Sequence, residues 1–214
     1  MISKEDLYTL RSKNYQLIFN IGVPCSGKKT QCEKISNEFK YSKLYLNEII
    51  QKEIKSNTKL GQEAKRLIDN KEPIKTEILT SILISNIIES QELSIMIEGF
   101  PNTLEEALFF EQNVVPISKI INYNANLDEC FNRYAESKSK DKLSKEEFSK
   151  KYNEILKNVN DINNFYSQFS IIHNIDANKS IAEVNSEIKK HLYPIIYTII
   201  GKRYSGKTEL SKEL

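Results

Sequence analysis

The stretch Gly22–Gln31, GVPCSGKKTQ, has the residue types and the spacing to hold a phosphate. Glycines let the main chain come close to an anion. The N–H groups of such a loop turn inward, and the helix behind it presents its positive end. Gly22, Gly27 and Lys28 stand at the distances of the general pattern G-x-x-x-x-G-K-[ST], with Lys28 placed to bridge terminal phosphates as a point charge. The pattern's hydroxyl position holds Lys29, and Thr30 follows at once. The bland alternative is a glycine turn that merely opens a helix. A second candidate is Glu98, which ends the apolar run Ile95–Ile97. A carboxylate at a strand end can hold the waters of a phosphate-bound Mg²⁺, or it can simply end a strand.

The motif returns near the end of the chain. The apolar run Tyr193–Ile200 leads into GKRYSGKT, in which Gly201, Gly206, Lys207 and Thr208 satisfy the general pattern in full. Ser26, Gly27 and Lys28 match Ser205, Gly206 and Lys207 at the same offset. Residues 1–192 are therefore expected to form one domain and 193–214 the truncated start of a second phosphate-loop repeat. A lone strand and turn bury no core, so this end is expected to be poorly ordered or to lean on the first domain. A chance match is the alternative.

Positioning such loops takes an α/β sheet. Gln16–Ile21 reads as a buried strand, followed by Cys32, Ile35 and Phe39 at helical spacing. Further strands are expected at Leu44–Leu46, Leu93–Ile97, Lys119–Tyr123 and Ile171–Ile175. Helices are expected over Gly61–Asp69 and Ile74–Glu89, and after capping boxes at Thr103/Glu106, Ser144/Glu147 and Ser180/Glu183. Alternating strands and helices imply a parallel sheet covered on both faces, with ligands beyond the carboxyl ends of the strands. Lys55–Lys59 and Glu136–Lys142 read as loops.

Composition narrows the partners. The 214 residues carry a formal net charge of +2, so a nucleic acid is not the expected partner. The three cysteines and two histidines show no zinc spacing. No run approaches the roughly 18 apolar residues of a membrane helix, so no membrane partner is expected. The expected location is the cytoplasm. Of 31 Lys and Arg, only Arg11, Arg66, Arg133 and Arg203 are arginine.

The loop resembles the adenylate kinase loop G-x-P-G-S-G-K-G-T-Q, with Pro24, Ser26, Gly27, Lys28, Thr30 and Gln31 in place. Ile97–Thr103, IEGFPNT, resembles that family's I-D-G-F-P-R-T. Leu44–Ile50, Asn70–Ile74, Phe165–Tyr166 and Asn174–Ala177 align with its remaining signatures, so the likeness runs from about residue 15 to 192. It implies a P-loop NTPase fold with a five-stranded parallel sheet, a helical monophosphate-binding insert near 46–80 and a short lid near 133–145. ATP is implied at Gly22, Cys25, Ser26, Gly27, Lys28, Lys29 and Thr30, with Mg²⁺ reached through water by Glu98, and a nucleoside monophosphate beside it. The adjacent second loop is similar to multi-domain adenylate kinases, so further kinase-like domains are implied partners. A cytoskeletal assembly such as a cilium falls within the expected location.

The chain departs from that pattern where charge matters. On the monophosphate side, arginines are replaced by Gln51 and Asn102, a threonine by Leu46 and the adenine-reading glutamine by Glu106; Gly99 is kept. On the lid side, Lys140 and Lys151 stand for arginines, Lys142 and Leu143 for paired aspartates, and Arg133 falls one residue from a family arginine. The catalytic candidates are thus Lys28, Arg133, Lys140 and Lys151. Lysine keeps the charge and loses the planar fork. In the loop itself, Cys25 and Lys29 replace glycines. Three readings follow: an ATP-binding or scaffold module with weak or lost transfer, an active kinase using lysines, or a structural unit that binds no nucleotide.

Overall fold

The computed structural model describes residues 3–137 and 142–192. Lys140 and the Gly201, Gly206, Lys207, Thr208 repeat lie outside them. The apolar runs become five parallel strands: β1 (Gln16–Gly22), β2 (Ser42–Tyr45), β3 (Ser94–Glu98), β4 (Lys119–Asn124) and β5 (Ile172–Asp176). Their order in the sheet is β2-β3-β1-β4-β5. The chain moves outward from β1 to β2, returns to β3, then crosses to β4 on the other side. That reversal places the loop after β1 at the centre of the carboxyl edge, where such sheets open a crevice.

Alternation along β1 serves two cores. Leu17, Phe19 and Ile21 face one layer with Leu83, Phe100 and Phe110. Ile18 faces the other with Cys32, Ile35 and Ile188. Helices cover both faces, which is why the strands read as continuous apolar runs. α2 (Lys28–Phe39) and α9 (Ile181–Leu192) supply the second layer. α3 (Leu46–Lys55), α4 (Lys59–Asp69) and α5 (Thr76–Glu89) occupy the stretch between β2 and β3, and α6 (Leu104–Asn113) follows β3. α7 (Leu127–Glu136) and the long α8 (Lys145–Tyr166) separate β4 from β5.

Two helices had no apolar run to announce them. α1 (Lys4–Ser12) starts at a reciprocal cap between Ser3 and Asp6, buries Leu10, and is tied to the body by Arg11 Nε donating to Val114 O at 3.0 Å. α7 starts where Asn126 Oδ1 accepts from Glu129 N–H at 2.8 Å, and it buries Cys130. The box expected at Thr103 is shifted. Thr103 accepts from Glu106 N–H, while the Glu106 carboxylate takes the N–H of Asn102 at 2.6 Å. Among the described residues no helix is long and apolar enough to cross a membrane.

Candidate functional site

A buried polar knot supports the loop. Asn20 on β1 donates to Ile18 O and Ile97 O, and its Oδ1 accepts from the Tyr123 hydroxyl at 2.9 Å. This joins the ends of β3, β1 and β4, the three strands that carry the site. Gly22 then leaves the sheet at φ +144°, so close to β4 that an added Cβ would sit 2.7 Å from the Tyr123 carbonyl oxygen. Cys25 adopts φ +60°, a left-handed conformation that a glycine would take without strain. Gly27, at φ +91°, is the N-cap of α2 and provides no side-chain cap. The first helical bond runs from Gln31 N–H to Gly27 O at 3.1 Å. The preceding amides of the first turn have no helical acceptor, the arrangement that offers donors to an anion at a helix start.

Lys28 turns back on the loop. Its Nζ donates to Gly22 O and Val23 O, both at 2.8 Å. Burial pushes the ammonium below its ordinary pKa, with Glu98 acting in the opposite sense. The Lys29 side chain leaves the loop, reaching Glu48 Oε1 at 2.5 Å and lying over the Tyr45 ring. It lines neither of the two cavities beside the loop.

Two cavities flank the loop. The first, beside the residues expected to hold ATP and here called the donor-side cavity, is about 540 Å³ and is lined by Cys25, Ser26, Gly27 and Thr30 with Arg133 and the turn Asn178–Ser180. Arg133 is held by Glu129 (Nε to Oε1, 2.9 Å) and by Ala177 O (Nη2, 2.8 Å), which leaves Nη1 beside Gly27. The second, beside the residues expected on the monophosphate side and here called the acceptor-side cavity, is about 560 Å³ and brings together Lys28, Leu46, Glu98, Gly99, Asn102 and Glu106. Lys151 joins them, although it lies far away in sequence. It shares one face of α8 with Ile155, Asn158 and Val159, at helical spacing.

The structure does not bring Gln51 there. Asn47 and Ile50 face the cavity, and Gln51, a further 100° around α3, lies in an outer groove with Glu48 and Lys52. Asn47 and Asn158 were not anticipated. Asn158 was findable, because it stands seven residues after Lys151 on a helix already expected there. No arginine lines the acceptor cavity among the described residues. Burial raises the pKa of the Glu106 carboxyl against the lowering effect of the nearby Asn102 and Thr103 donors.

The adenylate kinase family model matches residues 20–195. Curated relatives include adenylate kinase 1 of Schistosoma mansoni, 26% identical over 82% of this chain and 93% of the relative. Adenylate kinase isoenzyme 1 of Gallus gallus is 22% identical over 86% and 97%. The UMP-CMP kinase of Bos taurus is 25% identical over 82% and 95%.

Proposed function

Because the chain belongs to the adenylate kinase family, we propose that it binds ATP in the donor-side cavity while transfer to a nucleoside monophosphate is weak or lost. The domain then serves as a nucleotide-binding or scaffold module. One observation carries this reading: the acceptor-side cavity sets Lys28 and Lys151 against Glu98 and Glu106, with no guanidinium of the described residues facing them. Phosphoryl transfer depends on positioning and on fixed positive charge around the moving group. Removing one preorganised donor typically costs about 10²–10³ in rate. A nearly neutral cavity holds an acceptor phosphate poorly.

On the donor side, the amides at the start of α2 would hold the β- and γ-phosphates, with Arg133 closing from α7. Lys28 would exchange its two carbonyl acceptors for phosphate oxygens. Among the described residues no cluster of three or more His, Cys, Asp or Glu could hold a metal by itself. A single strand-end carboxylate, Glu98, suits Mg²⁺ that arrives with ATP and keeps most of its waters. Bound there, the ion would neutralise phosphate charge. The second loop at Gly201–Thr208 supports a setting among further kinase-like domains of a longer chain.

Calorimetric titration with ATP·Mg²⁺ and with AMP, followed by an assay of ADP formation, tests the proposal. ATP binding with background turnover is expected. Rapid ADP formation from ATP and AMP would overturn it and restore the reading of an active, lysine-based kinase. Silence from ATP would leave a structural unit.

A further inference from the structure

The edge of the sheet opposite the two cavities holds a cluster of basic groups. His173 on β5 and His191 in the last turn of α9 stack with ring centroids 4.1 Å apart and planes 18° apart. Alternation places Lys119, the first residue of β4, on the same face as Ile121, whose register partner is His173. The Lys119 Nζ donates to His191 O, one of the carbonyls that a helix end leaves without a helical donor. That ammonium already occupies the place at the end of α9 where a cation is favoured. A positive charge gained by either ring would meet Lys119 and the other ring, and at His191 also Lys190. The carboxylate that faces His191 is Glu187, one turn back on α9, and it already holds Lys179 at 3.3 Å. Across on α2, Glu38 holds Lys189 at 2.6 Å.

We propose that this cluster is an acid-sensitive catch on the last turn of α9. Near neutral pH the uncharged rings stack and Lys119 pins the turn; a proton on either ring drives Lys119 off the His191 carbonyl and loosens the turn. Burial lowers the pKa of both rings, with His191 and Lys119 adding at His173, and Lys119 and Lys190 adding at His191 against Glu187. The closed catch thus favours the neutral rings. It holds above the ordinary histidine pKa of about 6.5 and gives way as pH falls through the lowered values. Leu192 stays buried as the apolar anchor of the turn, so acid makes opening more frequent and does not abolish the turn. The first turn of α9 is held separately. Gln31 on α2 donates to Ile181 O at 2.8 Å and accepts from Asn185 at 3.1 Å, while Ser180, Ile181 and Val184 line the donor-side cavity. The catch therefore acts where the chain continues past Leu192 and leaves the wall of the donor-side cavity in place.

The test is amide hydrogen exchange of the whole chain at about pH 7.5 and about pH 5.5, read residue by residue and corrected for the intrinsic pH dependence of exchange. At the lower pH the amides of Lys189, Lys190, His191 and Leu192 should lose protection roughly tenfold or more relative to that of Val184 in the first turn. His173→Gln/His191→Gln should show one level of protection at both pH values, because nothing in the cluster then titrates in this range. Lys119→Met should leave the last turn weakly protected at both, because the pin is gone whatever the charge on the rings. Unchanged protection of the last turn in the unaltered chain would overturn the proposal. So would an equal loss at Val184, which marks unfolding of the whole domain. A pH response that persists in the double histidine variant, or a full response in Lys119→Met, would overturn it as well.

Discussion

Gly22 and Gly27 have the same residue type in the same loop, yet they should fail differently when each is changed to alanine. At Gly22 the new methyl would lie 2.7 Å from the Tyr123 carbonyl oxygen and 3.1 Å from both Ser26 Oγ and Tyr123 Cβ. Gly22 and Tyr123 are register partners of β1 and β4, so that oxygen cannot retreat without parting two central strands. Overpacking of this kind costs about 1–3 kcal/mol. The left-handed backbone at φ +144° adds about 1–3 kcal/mol for a residue with a Cβ. The sum is about 4 kcal/mol, a large share of the roughly 5–15 kcal/mol that holds a domain folded. At Gly27 the methyl would meet nothing nearer than Arg133 Nη1 at 3.9 Å, an ordinary contact. Only backbone strain at φ +91° remains, about 1–2 kcal/mol. With a urea slope of about 2 kcal/mol/M, the midpoint should fall by about 2 M for Gly22→Ala and by less than about 1 M for Gly27→Ala. Ligand binding should rank the other way. The Gly27 methyl projects into the donor-side cavity at the start of α2, so ATP affinity should fall by roughly tenfold or more in a protein that remains folded. Urea unfolding followed by circular dichroism, with calorimetry for ATP, makes both readings. Equal losses of stability, or unchanged ATP affinity in Gly27→Ala, would refute the assignment of the open amides to phosphate.

Lys28→Met should weaken ATP binding by roughly tenfold or more in a calorimetric titration, through loss of one charge-assisted contact; unchanged affinity would remove Lys28 from the donor site. His173 and His191 stack at 4.1 Å with Lys119 beside them, and burial lowers both pKa values. Lys119 adds to the lowering at both and Lys190 at His191, against Glu187. Because the fold favours their neutral forms, stability should be level above the unfolded-state pKa of about 6.5 and fall as pH drops through the folded values. His173→Gln/His191→Gln should flatten that slope in urea melts. Cys32 and Cys130 are fully buried with pKa values pushed up to about 12 and about 11, whereas Cys25 is only part-buried in the loop, where burial raises its pKa against the lowering effect of Lys28, Arg133 and Lys151. Iodoacetamide at neutral pH should therefore label Cys25 first by mass spectrometry, and ATP should slow that labelling. Asn102→Arg combined with Glu106→Gln places a guanidinium in the acceptor cavity and removes the carboxylate that would capture it. AMP turnover should rise about 10²-fold over the starting protein; no rise with ATP binding intact would locate the defect outside this cavity.

The sheet was legible because buried parallel strands write themselves as apolar runs. Each expected strand lies within two residues of an observed one, as with Lys119–Tyr123 against β4 (Lys119–Asn124). α1 and α7 were not legible from apolar periodicity, since α1 is mostly polar and buries only Leu10, and α7 buries only Cys130. Their signals were the caps, Ser3 with Asp6 and Asn126 with Glu129. At the site, the place of Lys28 at the start of α2 was readable from the loop spacing and that of Glu98 at the end of β3 from the apolar run before it. The path of the Lys29 side chain was not, because it depends on Glu48, which is 19 positions away and is brought near by folding. Gln51 shows the same limit in reverse: a position in a motif does not fix the face a helix presents, and here that face carries Asn47 and Ile50 to the cavity instead.

The residues that survived and those that changed differ in how much fold rests on them. Gly22 is pressed against Tyr123, Ser26 is buried, and Gln31 bridges α2 to α9 through Ile181 O and Asn185. Lys28 caps the carbonyls of Gly22 and Val23 from within the loop. Each has a structural task that persists whether or not phosphate is ever transferred. Asn102 and Lys151 are exposed at the cavity rim, where replacing a cation costs the fold little. An intact loop is therefore weak testimony for catalysis, because folding alone would preserve it. The informative positions are the exposed ones, and there Asn102 and Lys151 stand without a guanidinium, across from the half-buried Glu98 and Glu106. On the proposed reading, ATP binding draws on the loop and phosphoryl transfer draws also on these exposed positions, so the first can occur without the second.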